Sequence, residues 1–492
     1  MRIVYFDLDC LRADHLGCYG YHRNTSPNID KIAKDGIIFT KCYTSNSPCL
    51  PSRAALFSGR FGINNGIVAH HPPGDIFRYP GYSHSHFEDM PMLMRHLRKH
   101  NIKTISFSNF ADRHTAWWFH SGFAEFHTIS LKQGNETADE VNEVVLPWLK
   151  DHADEDNYFL HIHYWDIHTP YRLPNMQKWL SIFKNVPPPD WPDEKTIKSQ
   201  YENMYGPRTA RDLYTGYPAD KRPDKFPWMP EKISTKEEFK MLIDGYDASI
   251  YYVDYHIEQV LNIFKEKGIL DEIIFIISCD HGDSFGENGG HYMDHTLANE
   301  AVHRLPLIIK WPGITKGSTC NTLIYQLDLA PTLCEMLNIP IPPKWDGISF
   351  ADALKGKNFN GRNYLVFDHG IYTFQRSVRT KDYLFTRTYH PALYPIDEPY
   401  ELFDMNKDIH QTKSIAKEKP EIVKEHQNLL TEWWHEQLPK HSPHPDPLEV
   451  MVGYGPFLYY KPEQMVKRLR ETGRNNKAEE LIKRLSKYNH KI

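Results

Sequence analysis

The 492-residue sequence has no apolar run approaching the roughly 20 residues that a helix needs to cross a bilayer. Its longest, Ile273 to Ile277, has the length of a buried strand, so no membrane is expected as a partner. Charge of one sign is also lacking, with 58 Lys and Arg against 63 Asp and Glu. No basic run alternates with aromatics as a nucleic-acid groove requires, so no nucleic acid is expected either. Cysteine is scarce, seven residues without a Cys-x-x-Cys pair, which indicates neither a disulfide framework nor a zinc knuckle. Most of the seven read as small buried residues. The first residues, Met1-Arg2-Ile3-Val4-Tyr5-Phe6, enter a strand pattern at once and leave no room for a signal segment. The expected location is cytoplasmic, unless this is a trimmed mature form.

What is present is a series of strands that end in polar chemistry. Ile3 to Phe6 is followed by Asp7 and Asp9; Tyr158 to His163 is followed by Asp166 and His168. A helical pattern through Ile250, Val253, Ile257, Val260, Leu261 and Phe264 reaches Gly268, then a strand, then Asp280-His281-Gly282. Ligands collect outside the carboxyl ends of strands in open α/β sheets, so these three ends are expected to meet at one site. Prolines punctuate 171–240, which reads as a lid or substrate-shaping insertion. After Gly356 shorter runs take over, giving a division into a catalytic domain, 1–365, and a smaller C-terminal subdomain, 366–492. The last helix, about Lys477 to Tyr488, reads as a packing element.

The decisive string is Cys49-Leu50-Pro51-Ser52-Arg53, continuing to Ser58-Gly59-Arg60. Alone it would be a buried cysteine before a short helix, but its partners also match. It resembles the signature of the sulfatase family, as does Asp9-Cys10-Leu11-Arg12-Ala13-Asp14-His15, with Cys10 where many members carry a second aspartate. Asp280-His281-Gly282-Asp283 resembles the family's second metal segment. The resemblance continues through Gln326 to Thr332, Trp345 to Ser349 and Tyr400 to Asp404, where Asp328 and Asp346 read as turn and cap residues. It implies an α/β fold like that of alkaline phosphatase: a sandwich with a large mixed β-sheet flanked by helices, plus a smaller C-terminal α+β subdomain.

The resemblance further implies that a maturation enzyme converts Cys49 to formylglycine. Asp9, Cys49, Asp280 and His281 would hold one divalent ion, Ca²⁺ first, with Mg²⁺ or Mn²⁺ as alternatives. Arg53, His114, His168 and His295 are the catalytic candidates, His295 standing where many members have lysine. Arg113, Trp117 and His291 are the candidates for binding substrate. The expected activity is hydrolysis of a sulfate ester on a sulfated carbohydrate such as a glycosaminoglycan fragment. Phosphonate monoester or phosphodiester hydrolysis is one alternative; binding of sulfated glycans without turnover, should Cys49 stay unmodified, is the other.

Overall fold

The computed structural model describes residues 1–78, 91–215, 226, 228–438 and 445–488. A large mixed sheet runs through the molecule in the order Ser318–Cys320, Ile37–Tyr43, Arg304–Lys310, Ile273–Ser278, Arg2–Leu8, Tyr158–Tyr164, Lys103–Phe107, Glu125–His127, with Ile324–Tyr325 also pairing with Ile37–Tyr43. Arg2–Leu8 lies parallel to both of its neighbours, in a register that sets Asp7 opposite His163 on one side and Ser278 on the other. Its apolar residues are buried on both faces, as a continuous apolar run in a parallel sheet requires. This alignment carries Asp9, His163 and Asp280 to one end of the sheet.

The helix foreseen around Ile250 spans Lys236–Glu266 and starts earlier than its apolar pattern, because Thr235 caps it by accepting a hydrogen bond from the Glu238 N–H. Its Tyr246 hydroxyl accepts from the Arg12 N–H and donates to the Cys10 carbonyl, both at 2.8 Å. One core side chain thereby fixes the loop that follows Asp9. The proline-rich stretch is anchored to the body of the protein, since Trp179, Phe183, Ile197 and Leu213 join the main core. Its short helices, Met176–Leu180 and Glu194–Asn203, were hidden by the proline density; residues 216–225 and 227 lie outside the described residues.

The second sheet follows the order Tyr400–Asp404, Tyr383–His390, Phe374–Thr380, Tyr364–Gly370, Asn46–Ser47. The division drawn at residue 365 falls inside one of these strands, and the last strand comes from the opposite end of the chain, directly before Pro48 and Cys49. Asp346 accepts hydrogen bonds from the Phe61 N–H and the Asn64 amide; Asp328 accepts from the N–H groups of Tyr325 and Ile348. Both act as caps and turn anchors. Among the described residues no helix is long and apolar enough to cross a membrane.

Candidate active site

Cys49 opens the helix Cys49–Ser58 and is 2% exposed. Gly59 ends that helix at φ +65°, where a side chain would strike the Trp345 ring. Ser52 Oγ ties the helix to the neighbouring strand end by donating to the Asp280 carbonyl at 2.7 Å. Arg53, 1% exposed, donates to both oxygens of Asp7 at 2.8 and 3.0 Å and to Asp280 at 2.5 Å. It also donates to His163 Nε2 at 2.7 Å and stands 3.1 Å from Asp9 Oδ2. Named as a catalytic candidate, Arg53 is occupied in neutralising the carboxylates from two neighbouring strands.

Ligand-type atoms of Asp9, Cys49, Asp280 and His281 all lie within 4.8 Å of one another, every residue buried. Two observations suit this quartet to a divalent cation. Asp9 Oδ2 is buried and accepts no well-aligned hydrogen bond among the described residues, its neighbours being the Arg53 cation at 3.1 Å and His163 Nε2 at 3.5 Å. His281 donates its Nδ1–H to the Gly282 carbonyl at 3.0 Å, so the Nε2 lone pair faces the quartet, 3.1 Å from Cys49 Sγ. Two carboxylates and one imidazole suit a hard or borderline divalent ion. Cys10, in place of a further carboxylate, donates from Sγ to Asp9 Oδ1 at 3.3 Å. Burial, with Asp9 and Asp280 adjacent, pushes the Cys49 thiol well above its ordinary range. Burial also raises Asp280, whereas Asp9 is brought well below the usual carboxylate range by Arg53 and His163 acting against burial.

The histidines arrive from four segments. His295 donates Nδ1–H to Asp283 Oδ1 at 2.7 Å, and its ring lies 4.4 Å from that of His281. His168 donates Nδ1–H to the Thr169 carbonyl at 2.7 Å, with its ring 5.8 Å from His295. His114 ends the short helix Phe110–His114, and its Nε2 is buried without a hydrogen-bond partner among the described residues. Burial, His70 and Arg113 push its pKa well below the ordinary imidazole value. Arg113 sits 5.1 Å over the Trp165 ring and donates to the Gln133 carbonyl.

Two substrate candidates are placed differently. His291 is 2% exposed, hydrogen-bonded to the Pro207 carbonyl and edge-on to Tyr394, so its recorded partners belong to packing between segments. Trp117 is 62% exposed in a 3-10 turn, while its neighbour Trp118 is buried against Phe77 and Phe110. Sequence reasoning missed His70, whose Nε2 accepts from the Leu50 N–H at 3.4 Å and whose ring lies 4.7 Å from His114. It also missed His163, although the alternation His161-Ile162-His163 signals two histidines on one strand face.

A family model described as Sulfatase matches residues 2–339, more than two thirds of the chain. The chain belongs to the sulfatase family. It is an enzyme of that family. A second model, for the C-terminal part of N-sulphoglucosamine sulphohydrolase, matches residues 286–437. An ulvan-active sulfatase of Formosa agariphila is 26% identical over 409 residues, 79% of this chain and 66% of the relative. An N-acetylglucosamine-6-O-sulfatase of Bacteroides thetaiotaomicron is 24% identical over 87% of this chain and 85% of its own length. The fold is shared with a solved protein in complex with its substrate D-glucosamine-2-N,6-O-disulfate, at a TM-score of 0.68 and 21% identity, covering 90% of this chain and 99% of that one. It is shared too with the phosphonate monoester hydrolase of Agrobacterium radiobacter, at a TM-score of 0.67 and 16% identity over 89% and 96% of the two chains.

Proposed function

We propose that the protein hydrolyses the sulfate ester of a sulfated carbohydrate, with Cys49 converted to formylglycine as the nucleophilic residue. The observation that carries this reading is the convergence of Asp9, Cys49, Asp280 and His281, from three segments, into one buried quartet. Its curated relatives include sulfatases named for ulvan and for N-acetylglucosamine. Asp9, Asp280, His281 and the modified residue 49 would hold one divalent ion, with Ca²⁺ favoured by the carboxylates. That ion would supply Lewis-acid polarisation of a sulfate oxygen and a lower pKa for the nucleophile. A hydrated aldehyde would offer two hydroxyls on one carbon, so that the second can expel what the first has attacked.

The chain's own residues divide the remaining work. Arg53 holds Asp7, Asp9 and Asp280 in place, acting on the chemistry through the carboxylates. His281 keeps its Nε2 lone pair toward residue 49 because Nδ1–H is committed to a carbonyl. Asp283 fixes the His295 ring through Nδ1–H, so Nε2 is the nitrogen turned toward a departing sugar alkoxide; burial and His281 lower the pKa of this histidine, with Asp283 acting against them. His168 stands beside it as the other candidate acid. His114, held neutral by burial and with an Nε2 that has no hydrogen-bond partner among the described residues, fits the base that deprotonates the remaining hydroxyl. Arg113 adds a cation near the anion-binding end.

The shared fold of phosphonate monoester hydrolases makes the central atom of the substrate the first thing to test. Intact-protein mass spectrometry should find the chain about 18 Da lighter than its sequence mass, from loss of sulfur and two hydrogens and gain of oxygen at Cys49. Purified enzyme of that mass should cleave a sulfated saccharide faster than a phosphodiester, and Cys49→Ala should be folded and inactive. Full activity of Cys49→Ala would overturn the mechanism, and faster phosphodiester cleavage would overturn the substrate class.

A further inference from the structure

Residues beyond 437 lie outside both matched family models, and their sequence suggests only packing helices. The structure gives them a place at the active site. Helices Pro447–Val452, Pro462–Glu471 and Asn475–Ser486 flank a stretch that carries Tyr459 and Tyr460. This region is fastened to the proline-rich segment: Arg474 donates to both oxygens of the fully buried Asp212 at 2.6 and 2.7 Å, Arg484 donates to the Tyr205 hydroxyl at 2.7 Å, and Arg208 donates to the Tyr460 hydroxyl at 2.9 Å. Tyr459 is therefore presented from a braced backbone. Its hydroxyl lies 3.3 Å from His70 Nδ1, and the other nitrogen of that ring accepts from the N–H of Leu50, next to Cys49. On its other side the ring lies 5.3 Å from Tyr372, which is 6.0 Å from His295. With its hydroxyl held at this spot, Tyr459 still has 46% of its surface exposed.

We infer that Tyr459 is the aromatic platform on which the sugar bearing the scissile sulfate stacks, making it a specificity-determining residue supplied by the C-terminal segment. The inference rests on the sulfated-carbohydrate reading above. A pyranose has an apolar C–H face and a polar edge. A half-exposed aromatic ring, one side chain away from the nucleophile's helix, matches the first, while Arg113 and the site histidines serve the second. An immobilised ring also costs little entropy to use, because its hydroxyl and backbone are already tied.

The test compares a ligand that has a sugar with one that has none. The best-cleaved member of a panel of sulfated mono- and disaccharides serves as substrate, and inorganic sulfate as competitive inhibitor. Tyr459→Ala should raise the saccharide KM by roughly ten-fold, with kcat within two-fold and the inhibition constant of inorganic sulfate unchanged. Tyr459→Phe, which keeps the ring but loses its tie to His70, should raise KM less than Tyr459→Ala does. An unchanged KM in Tyr459→Ala, or a sulfate inhibition constant that rises in step with KM, overturns the platform and leaves the proposed function standing. A wild-type enzyme that cleaves no sulfated saccharide but cleaves a phosphodiester overturns the proposed function, and the platform with it.

Discussion

Replacing Arg53 with Met removes one buried charge while keeping most of the volume that packs over the Phe110 and Trp165 rings. That cation faces Asp7, Asp9 and Asp280, each 0–1% exposed. Breaking a buried ion pair by deleting one partner costs about 3–5 kcal/mol, because the other charge remains buried and unpaired. Here one cation answers three carboxylates, so the upper part of that range is expected, a large share of a typical total of about 5–15 kcal/mol. A divalent ion would compensate Asp9 and Asp280 but not Asp7, whose remaining partner is His161 at 3.3 Å. Urea unfolding of wild type and Arg53→Met should therefore show a much lower midpoint for the variant in chelator, and a partial recovery in millimolar Ca²⁺. An unchanged midpoint in chelator would refute the electrostatic role of Arg53, and full recovery in Ca²⁺ would show that Asp7 does not depend on it.

Asp280→Asn should weaken binding of the divalent ion at least ten-fold and lower activity in parallel; calorimetric titration of chelated protein checks this, and unchanged affinity would move the ion elsewhere. His295→Ala should slow sugar-sulfate cleavage far more than nitrophenyl-sulfate cleavage, because only the sugar alkoxide needs a proton on leaving; equal slowing would remove His295 as the acid. Burial raises Asp294 from 3.8 to about 7, so the folded state holds a proton that the unfolded chain has released. Stability should then fall as pH rises from about 4 to 7 and level off above, by up to about 4 kcal/mol for a shift of about three units. Asp294→Asn should flatten that slope in pH-dependent urea unfolding, and an unaltered slope would assign it to other groups.

The three carboxylate-bearing strand ends were legible because each signal is local: a short apolar run followed at once by Asp or His. The Cys49 helix was legible for the same reason. His70 and Tyr459 were not, since neither has a local pattern and the two meet across 389 residues of chain. Arg53 stands out by its position after Cys49, but its neighbours cannot be read from spacing, so its neutralising of three carboxylates is visible only in the fold. Of the adjacent pair Trp117 and Trp118, the sequence offers Trp117 to the substrate. A 3-10 turn leaves the Trp117 indole exposed and packs that of Trp118 into the core. Proline density in 171–240 reads as a lid or substrate-shaping insertion, and what spacing does not show is that Trp179, Phe183 and Ile197 anchor it to the main core.

The pairing of Asn46–Ser47 with Asp368–His369 has a consequence for the order in which the protein is made. A ribosome releases the segment around Cys49 early, yet its neighbouring strand is not synthesised until about three quarters of the 492 residues exist. Contacts this distant in sequence form late, after their loop-closure entropy has been overcome. Throughout that interval the cysteine-bearing segment lacks the neighbour that completes its sheet. An enzyme that needs an extended chain around Cys49 would find it during elongation and lose it when the second sheet closes.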